Sequence, residues 1–443
     1  MKVPKSPDAI LKFVKDSKIK IIRLWFTDIL GQLKGFAIPR DELEKAFYEG
    51  MGFDGSSIEG FVRIYESDLL AKPDPRTFSI LPWTIDGEKT ACVFCDILTP
   101  DGKPYEGDPR YVLRMNLKIA KELGYTYFVG PELEYFYVNG PDNPATLDKG
   151  GYFDVTPTDV GTKLRKKTIF VLEKMGINVE YTHHEVSHSQ HEIDLRYRDA
   201  LTMADYTMIY RLIVKEIARE DGVYATFMPK PIFGINGSGM HTHQSLFEGK
   251  KNAFYDPDDE YSLSDIAKYF IAGLLKHSEE ITAVTNQWVN SYKRLVPGYE
   301  APAYISWGRK NRSALVRVPF YKPKKEESIR VEYRAPDPAC NPYLAFSCML
   351  RAGLRGIEKK YPLPEPIEED IYTMSENERK KRGIKSLPDS LYSAILNTEK
   401  SDVVKDALGE NVFKKFIANR KREWEEYRIQ VTDYEIKKYL PIL

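Results

Sequence analysis

Residues 128–138 read Phe128-Val129-Gly130-Pro131-Glu132-Leu133-Glu134-Tyr135-Phe136-Tyr137-Val138, and no other stretch constrains the chain as much. Aromatic and β-branched residues dominate it and Gly-Pro stands near its head, so it predicts a strand. Residues two apart on a strand share a face, which groups Glu132 with Glu134 and leaves Leu133, Tyr135 and Tyr137 on the other side. A solvent-facing edge strand could carry two glutamates to no purpose. The spacing recurs, though. His241 and His243 flank Thr242; Arg330, Glu332 and Arg334 alternate with Ile329, Val331 and Tyr333; Glu185 and Glu192 lie in the polar run 179–192. On a helix, residues two apart diverge by ~200° and could not share a site. Converging strand faces are the economical arrangement. Carboxylates with one or two imidazoles suit hard divalent cations, Mg2+ or Mn2+, better than zinc.

The 443 residues imply two or more domains. Lys+Arg and Asp+Glu are both 65, so no global basic field argues for nucleic acid or an anionic membrane. No apolar run approaches the ~20 residues of a membrane span. Residues 1–20 lack an apolar core, so no signal peptide is expected. Of the four Cys, Cys92 and Cys95 have C-x-x-C spacing but sit in a strand-like run, where three-apart thiols face opposite ways; buried free thiols in a reducing cytoplasm are expected.

Residues 7–17 predict a helix with Ser6 as N-cap and Pro7 at its first position. Residues 20–28 and 33–38 predict a hairpin, 41–48 a short helix, and 77–83 and 90–97 further strands. The run Met51-Gly52-Phe53-Asp54-Gly55-Ser56-Ser57-Ile58-Glu59-Gly60 predicts an irregular exposed loop. Residues 1–103 thus read as a small, mainly β domain ending in the turn-rich Pro100-Asp101-Gly102-Lys103-Pro104, with residues 104–443 as the second domain. In that second part, helices are expected at 110–123, 162–175, 200–221, 265–277, from 278 onward, and at 341–360. Strands are expected at 178–185, 225–229, 240–247, 314–318 and 328–334. The alternation predicts an α/β catalytic domain.

No G-x-x-x-x-G-K-[ST] occurs, which excludes a P-loop enzyme at the motif level. Gly234-Ile235-Asn236-Gly237-Ser238-Gly239 leads into the His pair and lets a ligand approach the backbone; an ordinary flexible loop would look similar. Residues 290–302 carry Lys293, Arg294 and Glu300 among Gly and Pro, in the manner of a lid with stiff ends or of a plain surface loop. Arg309, Arg312, Arg317, Arg330 and Arg334 amid strand pattern call for anions, phosphate and carboxylate above all. The bland alternative is a solvated basic face.

Taken in order, Phe53-Asp54-Gly55-Ser56-Ser57, Gly130-Pro131-Glu132-Leu133-Glu134, Asn236-Gly237-Ser238-Gly239-Met240-His241, Asn290-Ser291-Tyr292-Lys293-Arg294 through Glu300, Asn311-Arg312-Ser313 and Glu332-Tyr333-Arg334 closely resemble glutamine synthetase of the type I class. The resemblance spans essentially the whole chain. It implies an N-terminal β-grasp domain, a barrel-like α/β catalytic domain and a double-ring homododecamer acting on glutamate, ammonium and ATP with two or more Mg2+ or Mn2+ ions. Glu134, Glu185 and Glu192 match the ligands of one metal, and Glu132, His241 and Glu332 those of the second. Glu180, His243, Ser245, Arg312, Arg317 and Arg330 match ATP positions. Asn236, Gly237, Arg294, Glu300, Arg312 and Arg334 match the glutamate site. Glu300 is the flap residue. Asp54, Ser57 and Tyr152 resemble the ammonium site, with Asp54 reaching in from the adjacent subunit. Where the family has a basic ATP contact before the match of Glu332, this chain has Lys322, Lys324 and Lys325.

Two other functions compete. A γ-glutamyl ligase of the same fold could use a bulkier amine, but Asp54 and Ser57 favour ammonium. A non-catalytic scaffold or nitrogen sensor would have lost metal ligands, and none is lost. One type I subtype is switched by adenylylation of a Tyr in an Asn-Leu-Tyr-Asp-Leu context; Asp370-Ile371-Tyr372-Thr373-Met374 departs from it. The segment Ser56 to Arg63 instead resembles the subtype inhibited by glutamine, with Arg63 as mediator. Regulatory protein partners remain compatible with either subtype.

Overall fold

The computed structural model describes residues 3–58, 60, 68–85, 87–320 and 325–443. Two sheets organise the described residues. The first runs in the order Leu33–Pro39, Ile21–Thr27, Glu88–Leu98, Asp68–Pro73, Met51–Asp54, with Ser79–Ile85 also paired to Glu88–Leu98. The central strands Ile21–Thr27 and Glu88–Leu98 are buried on both faces, by simple alternation. Ile22, Leu24, Phe26, Ala91, Val93, Cys95 and Ile97 face a small core with the helix Pro7–Asp16. Trp25, Cys92 and Phe94 face the large core of the rest of the chain. Cys92 and Cys95 are therefore buried free thiols on opposite faces, as expected.

The second sheet contains, in order, Trp307–Gly308, Val316–Arg317, Val331–Tyr333, Met240–Glu248, Thr126–Gly140, Gln190–Leu195 and Val179–His184. Thr126–Gly140 is its spine and is longer than the sequence pattern indicated. Helices Ala200–Glu220 and Asp265–Thr285 pack against it, and Pro342–Lys359 packs on both of them. The last of these starts where Asn341 Oδ1 accepts from the N–H groups of Tyr343 and Leu344 at 3.0 and 3.3 Å, and Pro342 needs no such bond. It crosses Asp265–Thr285 so closely that a Cβ on Gly356 would stand 2.0 Å from the Tyr269 carbonyl. The architecture is thus a β-grasp unit joined to a larger α/β unit with a curled sheet. No helix among the described residues is long and apolar enough to cross a membrane.

Several expectations are corrected. Residues 51–60 are not wholly irregular: Met51–Asp54 is an edge strand paired with Asp68–Pro73, itself absent from the sequence reading. Gly52 is tolerated there because, among the described residues, the strand pairs on one side only. The two helices expected from 265 onward are one, Asp265–Thr285. Gln190–Leu195 was not foreseen as a strand. Ser6 precedes the first helix but makes no capping bond.

Candidate active site

Register turns the period-two pattern into a site. On the spine, Glu132 stands opposite His241 of one neighbouring strand and Asp194 of the other, while Glu134 stands opposite Glu192. Beyond them, Glu192 faces His183, and Glu332 pairs with both His243 and Arg317. Directly opposed residues in antiparallel strands point the same way. One face of six strands therefore carries a continuous field of carboxylates, imidazoles and guanidiniums.

That face floors a cavity of about 530 Å³. Glu132, Glu134, Glu185, Glu192, His241 and Glu332 line it, with Asn236, Gly237, Arg294, Glu300, Arg312, Arg317, Arg334 and Tyr152. His243, Arg330 and Ser245 do not line it; they lie on or beside the same strands, and Arg330 Nε donates to His243 Nδ1 at 3.1 Å. Glu180 is exposed outside the lining, where a bulge sets Val179 opposite Leu195 and Tyr181 opposite Asp194. Asp54 and Ser57 are exposed on the first sheet's side and do not line it either. The Ser56 N–H, 2.8 Å away, holds the Asp54 carboxyl below its ordinary range. Arg63, Lys322 and Lys324 lie outside the described residues; Lys325 is exposed.

His241 Nδ1 lies 3.8 Å from Glu132 Oε2, 3.8 Å from Glu134 Oε1 and 3.9 Å from Glu332 Oε1. These spacings are too long for hydrogen bonds and short enough for a cation, with Glu134 standing between this group and the neighbouring Glu185 and Glu192. His243 also approaches Glu132, its Nε2 2.6 Å from Oε1. Because Arg330 donates to His243 Nδ1, the ring proton is on Nε2 and is given to Glu132, so His243 has no lone pair to offer a metal. A second group comprises Glu185, Glu192 and His183, whose Nε2 lies 2.6 Å from Glu185 Oε1. His183 orients Glu185 in this arrangement.

The electrostatics fit divalent cations. Burial, then the charge of Glu185, pushes the Glu134 carboxyl up to about 8. Burial, then Asp194 and Glu132, raises Glu192 well above its ordinary range, and burial with Glu132 lifts Asp194 to about 7. Burial, then Arg334, holds His241 neutral by pushing it far down. Negative charge exceeds what the protein's own cations neutralise on this side. Glu332 is the exception. Burial opposes its charge, but Arg334 Nη1 at 2.6 Å and Arg317 Nε at 2.5 Å more than offset this and keep it ionised. Oxygen donors with a neutral imidazole are the set Mg2+ and Mn2+ accept.

Above the floor, Arg294 is 2% exposed and donates to the carbonyls of Ala335 (2.6 Å) and Arg334 (3.2 Å). At Gly239 a Cβ would meet Arg294 Nη2 at 2.6 Å and His241 Nε2 at 2.9 Å, so any side chain there displaces two groups of the site. Glu300 crowns the cavity with φ 56°, a left-handed conformation costly outside glycine by about 1–3 kcal/mol, and accepts from Asn236 Nδ2 at 3.0 Å. His183 and Gln190, which line the cavity, and Asp194, which pairs with Glu132 without lining it, were missed as site residues. Asp194 follows Glu192 at the same spacing as Glu132 and Glu134, which is the signal that could have found it. Gln190 Nε2 fixes Glu134 Oε2 at 2.8 Å, a contact that no local pattern announces.

The chain matches the family model of the glutamine synthetase β-Grasp domain over residues 18–100 and that of the glutamine synthetase catalytic domain over residues 106–439. It is 55% identical over 439 residues to a glutamine synthetase of Mycolicibacterium smegmatis, covering 98% of both chains. It is 51% identical over 437 residues to a glutamine synthetase of Thermotoga maritima, covering 98% of this chain and 99% of that one. A cryo-EM structure of Plasmodium falciparum glutamine synthetase superposes with a TM-score of 0.89 at 27% identity, covering 99% of this chain and all of the other.

Proposed function

The chain belongs to the glutamine synthetase family, and from that premise we infer how its residues divide the work. It is a ligase that joins ammonium to the side-chain carboxylate of L-glutamate at the expense of ATP, giving glutamine, ADP and phosphate. The observation that carries the residue-level reading is the register that brings Glu132, Glu134, Glu192, His241 and Glu332 to one cavity floor beneath buried arginines.

A carboxylate is a poor electrophile, so it is first phosphorylated. A glutamate γ-oxygen attacks the terminal phosphorus of ATP, the P–O bond to ADP breaks, and γ-glutamyl phosphate forms. Glu134, Glu185 and Glu192 would hold one divalent ion and Glu132, His241 and Glu332 a second, Mg2+ or Mn2+, neutralising charge on the transferred phosphoryl group. Arg312 and Arg317 face the nucleotide's phosphates, with Glu180, His243, Ser245 and Arg330 at or behind the rest of the ATP site. Asn236, Gly237, Arg294 and Arg334 hold glutamate. Glu300 closes over the intermediate and excludes water, which would otherwise hydrolyse it. Asp54, with Ser57 and Tyr152, binds ammonium and takes one of its protons, an effect of order ~10²–10⁴. The freed amine attacks the acyl carbon and phosphate leaves.

Residues 1–103 and 104–443 are taken as the two domains. Exposure of Asp54 away from its own chain's cavity supports a site shared between neighbours in a dodecamer of two hexameric rings. The enzyme is assigned to the cytoplasm and to the subtype inhibited by glutamine through Arg63, with Tyr372 unmodified. The test is glutamine formation from ATP and glutamate, with phosphate release measured with and without ammonium. Ammonium-independent phosphate release with no glutamine formed refutes the assignment.

A further inference from the structure

The chain just beyond the flap residue is gripped by the cavity wall, in which Glu368, Asp370 and Tyr372 stand beside Glu300 and Arg312. Tyr372 Oη donates to the Ala301 carbonyl at 2.5 Å, one residue after Glu300. Ala303 and Tyr304 then pack with Ile371 and Met374 into a small core separate from the two main ones. The Ile305 N–H donates to the Lys385 carbonyl at 2.8 Å, and that of Leu387 to the Ala303 carbonyl at 2.9 Å. The other half of the flap is more open: Pro297, Gly298 and Glu300 are exposed, and Gly298 and Glu300 both have positive φ.

The same short segment grips a second loop. Glu368 accepts from the backbone N–H groups of Arg309 and Lys310 at 2.8 and 2.9 Å. Asn311 Nδ2 donates to the carbonyls of Ile367 (2.9 Å) and Glu369 (2.7 Å). The Ile371 N–H reaches Ser313 Oγ at 3.3 Å. Arg312, which lines the cavity, sits in the middle of that loop. Residues 367–372 therefore form one strap that holds both the root of the flap and the arginine loop.

We propose that Tyr372 is a positioning residue: its hydroxyl fixes the root of the flap through Ala301, and the strap ties flap closure to the seating of the Arg312 loop. The inference rests on the glutamine synthetase reading. Its logic is one of coupled populations. Among the described residues, the flap is held down by Asn236 on Glu300, Tyr372 on Ala301, and Lys230 Nζ 3.9 Å above the Tyr299 ring. Losing one hydrogen bond shifts the open population by about two- to ten-fold. An open flap admits water to the acyl phosphate, so the consequence is wasted ATP rather than weaker substrate binding.

The experiment compares full-length assembled wild type, Tyr372→Phe, Glu368→Gln and the double variant. Glutamine formed, phosphate released and the thermal midpoint are measured together. Tyr372→Phe is expected to raise phosphate per glutamine about two- to ten-fold with an unchanged midpoint. Glu368→Gln should raise the ratio as well, and the double variant no further than the larger single effect, because both act through one strap. An unchanged ratio in folded Tyr372→Phe overturns the inference, as does a fall in kcat with the ratio kept at one phosphate per glutamine. Fully additive ratios overturn the strap. A wild type that forms no glutamine refutes the ligase reading itself, and this inference with it.

Discussion

Two glutamates of the cavity floor should respond to loss of charge in opposite ways. Consider Glu134→Gln and Glu332→Gln in chelator. Burial and Glu185 push the Glu134 carboxyl from its ordinary 4.5 up to about 8. At pH 7.5 the folded protein keeps it protonated while the unfolded chain ionises it. At about 1.4 kcal/mol per pH unit, that costs the metal-free fold up to about 4 kcal/mol. Glutamine removes the cost and keeps the contacts, since its amide oxygen can accept from Gln190 Nε2 (2.8 Å) and the Gly239 N–H (2.9 Å). The sign follows from linkage. Between 4.5 and 8 the unfolded state binds fewer protons than the folded one, so wild-type stability falls as pH rises through that window. The gain from Glu134→Gln is therefore near zero at pH 4.5 and largest at pH 8. For 443 residues, unfolding entropy near 0.9 kcal/mol/K makes 4 kcal/mol about 4 °C. Glu332, fully buried between Arg334 and Arg317, is the reverse case. Removing its charge strands buried guanidiniums and should cost about 3–5 kcal/mol, toward the low end because Arg317 is 21% exposed. Both variants should lose turnover. Thermal unfolding at pH 5, 6, 7 and 8 in chelator is the assay. Equal destabilisation by the two substitutions, or a pH-independent difference between Glu134→Gln and wild type, would refute the charge argument.

The other predictions concern closure, assembly and regulation. Glu300→Ala should leave ATP binding intact and raise phosphate released per glutamine, and an unchanged ratio would show that Glu300 shields nothing. Asp54→Ala and Glu134→Ala subunits, each inactive alone, should recover roughly a quarter of wild-type activity after equal mixing and refolding, because each site then draws its two halves from different chains. No recovery after confirmed co-assembly would place Asp54 within its own chain or outside catalysis. Arg63→Ala should weaken glutamine inhibition, and mass spectrometry of native protein should find Tyr372 without an adenylyl group.

Much of this site was legible before the fold was known. Alternation alone grouped Glu132 with Glu134, and His241 with His243. The Asn341-Pro342 pair announced a helix start that the capping bonds realise. What went unread had physical causes. Met51–Asp54 hid behind its glycines, since an edge strand needs only one hydrogen-bonded neighbour and tolerates residues a central strand would not. Gln190–Leu195 was overlooked because six consecutive buried residues that mix Glu and Asp with Ile and Leu match neither an amphipathic strand nor an apolar one. Missing that strand meant missing Asp194.

By itself, the sequence determined which side chains share a face, because backbone geometry alternates them whatever the partner. It also specified the donor chemistry available to a cation and, through its motifs, the family. Only the tertiary structure decided register, and register is non-local: Glu132 meets His241 across more than a hundred residues of chain. The same packing set apart groups that look alike in one dimension. Glu134 is pushed up and Glu332 held down because one is buried beside carboxylates and the other between guanidiniums. His241 is held neutral among the cavity carboxylates while His243 spends its nitrogens on Arg330 and Glu132. Charge state and hydrogen-bond role depend on what stands within a few ångströms, and strand pairing, not sequence order, chooses those neighbours.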